Sequence, residues 1–105
     1  MIHLEVTKMD PGKAAQLREW MAEMTERADE VRETLANEGV RHELAQLVAT
    51  SDGPLLIYMV ECDDFDAALT AYEHSPFSID AQHKKVMTEI QGEPLVSEVL
   101  LDIQR

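Results

Sequence analysis

The sequence predicts an α+β chain of order β-α-β-β-α(α)-β with an antiparallel sheet, and three features carry that prediction. One long helical pattern follows directly on one short strand pattern. Two strand patterns then flank the turn residues Thr50-Ser51-Asp52-Gly53-Pro54. Helical patterns broken at Ser75-Pro76 lead into a last strand-like run after Pro94.

Residues 2–9 read as the first strand. Ile2, Leu4 and Val6 point one way, and His3, Glu5 and Thr7 the other. The first helix is predicted to run unbroken from the Asp10-Pro11 start to about Glu38. Ala14, Leu17, Met21, Met24, Ala28, Val31 and Leu35 alternate in steps of three and four, which draws one narrow apolar stripe. Asp10 suits the N-cap, Pro11 the first helical position and Gly39 the left-handed exit. The outer face is crowded with glutamates, so docking of the stripe must hold this helix rather than surface ion pairs.

Residues 40–49 read as the second strand. The third is Leu55–Cys62, apolar on both faces, as befits a central strand covered on both sides. Asp63 or Asp64 caps a second helix through Ala67, Ala68, Leu69 and Tyr72. Asp80 can open a third helix through His83, Val86, Met87 and Ile90, and Leu95 to Ile103 is expected as the last strand. This is the split βαβ, ferredoxin-like arrangement with expected strand order 4-1-3-2 and helices on one face. Nothing in the chain is left to cover the other face of the third strand, so a second copy is expected to do so.

The chain has 105 residues, read as one domain over 1–105, with 45% hydrophobic residues, enough for a thin core. Its 21 acidic against 9 basic side chains give a formal charge of −12, which would repel nucleic acid and anionic membranes alike. Such a surface favours solubility and suits adaptation to high salt. No run reaches the roughly 18 apolar residues of a membrane span, and Met1–Glu5 lacks the basic and apolar regions of a signal peptide. With one cysteine, Cys62, no internal disulfide can form, and a reducing cytoplasmic setting is expected.

The Pro-Gly-Lys turn at Pro11–Lys13 and the element order resemble the dimeric α/β-barrel superfamily, which includes antibiotic-biosynthesis-monooxygenase-like proteins. The exit Glu38-Gly39-Val40 and the segment from Tyr72 to His83, with its Ser-Pro-x-x-Ile-Asp-x-x-His core, resemble a domain-of-unknown-function family within it. The resemblance implies a dimeric α/β barrel, hence a homodimer, and no established activity. Superfamily members bind small molecules between sheet and helices; some carry out cofactor-free oxygen chemistry, some bind haem and some epimerise sugars.

Candidate site residues follow from placement. His83 is the first candidate for a general base, with Asp80 three residues earlier on the same helical face to fix its tautomer. The competing role for Asp80 is simple helix capping. Trp20, at the edge of the stripe, and Tyr58, on the third strand, are candidate pocket walls, as is His74 at the end of the second helix, where it can instead serve as a C-terminal cap. His3 and Glu5 can line a polar cavity or be satisfied by a cross-strand partner such as Glu98. His3, His42 and Glu61 match no ligand spacing, so no metal and no cofactor are expected. Cys62 stands among Glu61, Asp63 and Asp64, a poor setting for a nucleophilic thiolate. Met21, Met24, Met59 and Met87 are expected in an adaptable core. Three functional expectations result, the first two being a homodimeric small-molecule-binding protein and a cofactor-independent monooxygenase-like or isomerase-like enzyme with a histidine base. A purely structural or regulatory dimer is the third.

Overall fold

The computed structural model describes all residues, 1–105. Its elements are β1 (Ile2–Lys8), a 3-10 turn (Pro11–Lys13), α1 (Ala14–Glu26), α2 (Ala28–Glu38), β2 (Val40–Thr50), β3 (Gly53–Cys62), α3 (Phe65–Glu73), α4 (Ser78–Ile90) and β4 (Pro94–Leu95). The sheet is antiparallel throughout, in the order β2-β3-β1-β4. That order is the one expected from sequence.

Most starts and stops follow the expected chemistry. Asp10 accepts a hydrogen bond from the Gly12 N–H at 2.8 Å and caps the turn into α1. Gly39 ends α2 with φ +73°, a left-handed conformation that costs glycine nothing. Asp64 caps α3 through the Ala67 N–H. α4 opens at Ser78 behind Phe77, so Asp80 lies inside its first turn and is not the cap.

Two expectations are corrected. The long helix is two helices. Arg27 leaves the helical region at φ −99°, ψ 33°, with no proline or glycine nearby to announce it. Its guanidinium donates to Glu30, Glu23 and, across to α4, Gln82 at 2.6 Å. The bend therefore sits where a side chain ties the helical layer together. Of the stripe, Ala14 and Leu17 are buried and the rest half-buried, while Trp20 and Thr34 beside it are buried too.

The last strand is the second correction. Only Pro94 and Leu95 pair with β1, and residues 96–105 have no regular structure and no cover. Entry to that pairing is tight: a side chain at Gly92 would run into the Lys8 carbonyl. Beyond Leu95 nothing in the chain offers a second layer, and Val96, Val99, Leu100, Leu101 and Ile103 stand in water.

All four helices lie on one face. Leu17 of α1 and Ile90 of α4 pack with Leu56 and Met9, while Leu35 of α2 and Ala68 of α3 pack with Val40 and Cys62. Directly paired residues of an antiparallel sheet share a face, so the register sorts the strands. His3, Glu5, Thr7, Glu43, Ala45, Leu56, Tyr58 and Val60 face the helices. Ile2, Leu4, Val6, His42, Leu44, Ile57, Met59 and Glu61 face away. The methionines expected in the core, Met21, Met24, Met59 and Met87, are only half-buried, whereas Met9, which was not among them, is enclosed.

Candidate functional site

Between sheet and helices lies a cavity of about 320 Å³. Val40, Val60, Phe65, Ala68, Leu69 and Met87 form its apolar wall. Its polar side is Glu5, Glu38, Glu43, Tyr58, Tyr72 and His83, with His3 stacked on Phe65 at 3.5 Å between ring centroids. No lysine or arginine lines it. Each polar group has a structural cause. Glu43, Tyr58 and Glu5 occupy the inward positions of β2, β3 and β1. Glu38 is the last residue of α2, and His83 and Tyr72 come from α4 and α3.

Four side chains are joined in series. Trp20 Nε1–H donates to His83 Nδ1 at 2.8 Å. Indole nitrogen only donates, so Nδ1 must hold a lone pair and the neutral ring carries its proton on Nε2. That nitrogen lies 3.4 Å from Tyr58 Oη, and the Tyr58 hydroxyl donates to Glu43 Oε1. The donors thus point one way, from Trp20 through His83 and Tyr58 to Glu43.

Electrostatics favours the neutral members of this series. Burial lowers the His83 pKa, and the Asp80 charge opposes that only in part. A second proton on the ring would also set an N–H against the Trp20 N–H. Burial, then the Glu43 charge, raises the Tyr58 hydroxyl well above its ordinary value. Glu43 is lifted by burial, against its bond from Tyr58. Glu38 is pushed up to about 8, by burial first and then by Asp80 and Glu43, with Lys84 pulling the other way. Tyr72 is raised for the same reasons, burial leading.

Of the residues singled out in the sequence, the fold brings Trp20, Tyr58 and His83 together. Asp80 lies near His83 but its carboxylate accepts from Ser75 Oγ, and the imidazole is oriented by Trp20 instead. His74 is exposed at the end of α3, its Nδ1 3.0 Å from the Thr70 carbonyl, and takes no part in the cavity. His3 and Glu5 do line it, 3.2 Å apart. His42 and Glu61 are paired on the opposite face of the sheet. No three His, Cys, Asp or Glu side chains are placed to hold a metal ion.

Sequence reasoning missed Glu38 and Glu43. Both had signals. Glu38 continues the stripe by one more step of three after Leu35, and Glu43 shares its parity with the inward Ala45 and Leu47.

A model of a family of unknown function (DUF6176) matches residues 2–105, and the chain belongs to that family. No curated protein and no solved structure matches it. No helix is long and apolar enough to cross a membrane.

Proposed function

We propose that this family member is a small-molecule-binding protein, working as a cytoplasmic homodimer of the dimeric α/β-barrel type, whose ligand enters the space between sheet and helices. The cavity carries this reading. Its volume lies within the range of about 300–1,000 Å³ usual for ligand sites, and it joins one apolar wall to a few convergent polar groups. With three acidic side chains, two of them lifted by burial, and no cationic side chain on the wall, the ligand it suits has an apolar body and a hydrogen-bonding or cationic head that would draw out their ionised form. The strand order and the single helical layer support the ferredoxin-like, dimeric-barrel part of the reading. So does the apolar sheet face that no helix covers.

The test is a two-dimensional NMR titration with benzylamine and benzoate as size-matched probes. Benzylamine should move the amide signals of Val60, Ala68 and Met87, and benzoate should not. No movement with either probe at millimolar concentration would sink ligand binding at this site.

A second reading rests on the Trp20-His83-Tyr58-Glu43 series. A directed hydrogen-bond chain ending in a lifted carboxylate can pass a proton, as a cofactor-independent monooxygenase-like or isomerase-like enzyme requires. In it, His83 with its Nε2 proton would act as donor and Glu43 or Glu38 as acceptor. Asp80 would act on His83 only through its charge. Hydrogen–deuterium exchange into a bound carbonyl ligand, lost in Glu43→Gln, would favour this enzyme over a plain binder.

A further inference from the structure

We propose that Val96–Ile103 is a strand that each chain lends to a second copy. It would run along the outer edge of that copy's β2 and lay Val99, Leu101 and Ile103 on the bare sheet face. The inference rests on the homodimer reading above and specifies how the two copies are joined.

The arm itself is the first argument. Val96 is 102% exposed, Val99 79%, Leu100 85%, Leu101 77% and Ile103 78%, so five apolar side chains in this short stretch have no cover in their own chain. Single exposed apolar residues are ordinary, but a contiguous run marks an interaction surface.

Register is the second. Leu95 pairs with Val6 and therefore shares its face, the bare one. Counting on by twos along an extended chain gives Ser97, Val99, Leu101 and Ile103 on that face. Val96, Glu98, Leu100 and Asp102 fall on the other. The arm is thus patterned as a strand with an apolar side. Continued along β1, the same pairing would set Val99 opposite Ile2, and β1 would then be exhausted. Leu100–Ile103 have no strand of their own subunit left to pair with.

The receiving surface is the third. β2 is the outermost strand, and one long side of its backbone is unpaired from Val40 to Thr50. It contains no proline or lysine, and its only irregularity is the bulge between Val40 and His42. Natural sheets block such edges unless they are used. Beside that edge the bare face offers Leu44 at 44% exposure and Val48, alternating with His42 and Gln46, and further in Ile57 and Met59. An eight-residue arm at about 3.3 Å per residue reaches about 26 Å, which suffices to follow most of β2.

A second copy of this chain is the occupant that fits, because the chain carries both halves of the contact. Each copy gives an arm and receives one, and a two-fold axis closes the exchange at two. The acidic Glu98 and Asp102 alternate with Val96 and Leu100 on the arm's other side, which continues the opposite face of the sheet beyond β2.

The experiment compares the full chain with Val99→Asp/Leu101→Asp by sedimentation equilibrium, and follows backbone hydrogen exchange in both. The unmodified chain should be a dimer at micromolar concentration, with slow exchange over residues 96–103 and along β2. The variant should be a folded monomer of unchanged circular dichroism, with dimer affinity weakened at least about 100-fold, because those side chains touch nothing in their own subunit. A variant that dimerises like the unmodified chain would overturn the arm exchange while leaving the homodimer standing. Fast exchange of 96–103 within the dimer would do the same. A full chain that is monomeric at 100 µM, on the order of a weak complex's concentration, would overturn both.

Discussion

Under the helices, the sheet presents His3, Glu5, Thr7, Glu43 and Tyr58 beside Leu56 and Cys62. On its bare side it presents Ile2, Leu4, Val6, Leu44, Ile57 and Met59 beside His42, Gln46 and Glu61. An isolated domain would be expected to sort more strictly, polar outward and apolar toward the helices. The mixing shows differently on the two faces. The covered face gives up apolar packing to a cavity in which His3 pairs with Glu5, and Tyr58 with Glu43 and His83. The bare face keeps its apolar character although Ile2 and Leu4 are 56% and 45% exposed. One face is organised around the cavity, and the apolar residues of the other remain partly exposed in this chain.

Adjacent residues of β3 offer the sharpest way to break this comparison. Leu56 is 3% exposed in the core beneath α1 and α4, and Ile57 points the opposite way. Leu56→Asp would bury an unpaired charge, a cost comparable to the whole stability of about 5–15 kcal/mol of a small domain, so the variant should not fold. Ile57→Asp should leave the subunit folded, losing about 1 kcal/mol, and should instead weaken self-association. Chemical denaturation and sedimentation of the two variants check both halves. Equal loss of folding in both would mean that the bare face is part of the subunit core.

A smaller effect is expected inside the site. Trp20→Phe keeps a ring on the helix but removes the only donor to His83 Nδ1. The orphaned nitrogen and lost bond should cost about 1–3 kcal/mol in thermal or urea unfolding. The His83 pKa should move back up toward its ordinary value, since a protonated Nδ1 would no longer meet an indole N–H. Burial would still hold it partly down. An NMR titration that gave the same His83 pKa in both proteins would show that Trp20 packs against the ring without setting its protonation.

Much of the fold was legible in the sequence because its signals are local. Pro11, Gly39, Asp64 and the Thr50–Pro54 turn each act within a few residues, and the observed elements follow them. The two misses have non-local causes. The bend at Arg27 coincides with a hydrogen bond to Gln82, 55 residues away, which no local pattern announces. The last strand was expected over Leu95 to Ile103, but only Pro94 and Leu95 find a partner strand, and strand pairing is a tertiary fact. The site was half legible for the same reason. Trp20, Tyr58 and His83 stood out as residue types, but their junction is a tertiary fact, and Glu38 was overlooked because a charged residue extending an apolar stripe looks like its end.

Glu38 gives the smallest effect and the most direct measure of how the covered face differs from water. Its carboxyl titrates at about 8 in the fold against an ordinary 4.5, because burial and the Asp80 and Glu43 charges oppose ionisation. Below pH 4.5 both folded and unfolded chains hold this proton, and the group has no effect on stability. Between 4.5 and 8 the unfolded chain has released it and the folded chain has not, so folding stability falls as pH rises. Above 8 both are ionised and the loss is complete. Glu38→Gln removes the titration while keeping the shape. Its melting temperature should match the unmodified protein near pH 4.5 and exceed it increasingly up to pH 8 to 9. Solvent reaches this half-buried carboxyl and screens the penalty, so the expected gain is only about a few degrees. His83 remains in the variant with no charge coupling to Glu38, so its pH dependence appears in both proteins, while the tyrosines that Glu38 does influence titrate above the range compared. A difference that is flat with pH would place Glu38 in ordinary solvent and leave the cavity with one titrating acid fewer. A difference of opposite slope would mean that a cation, such as Lys84, holds the carboxylate in its charged form.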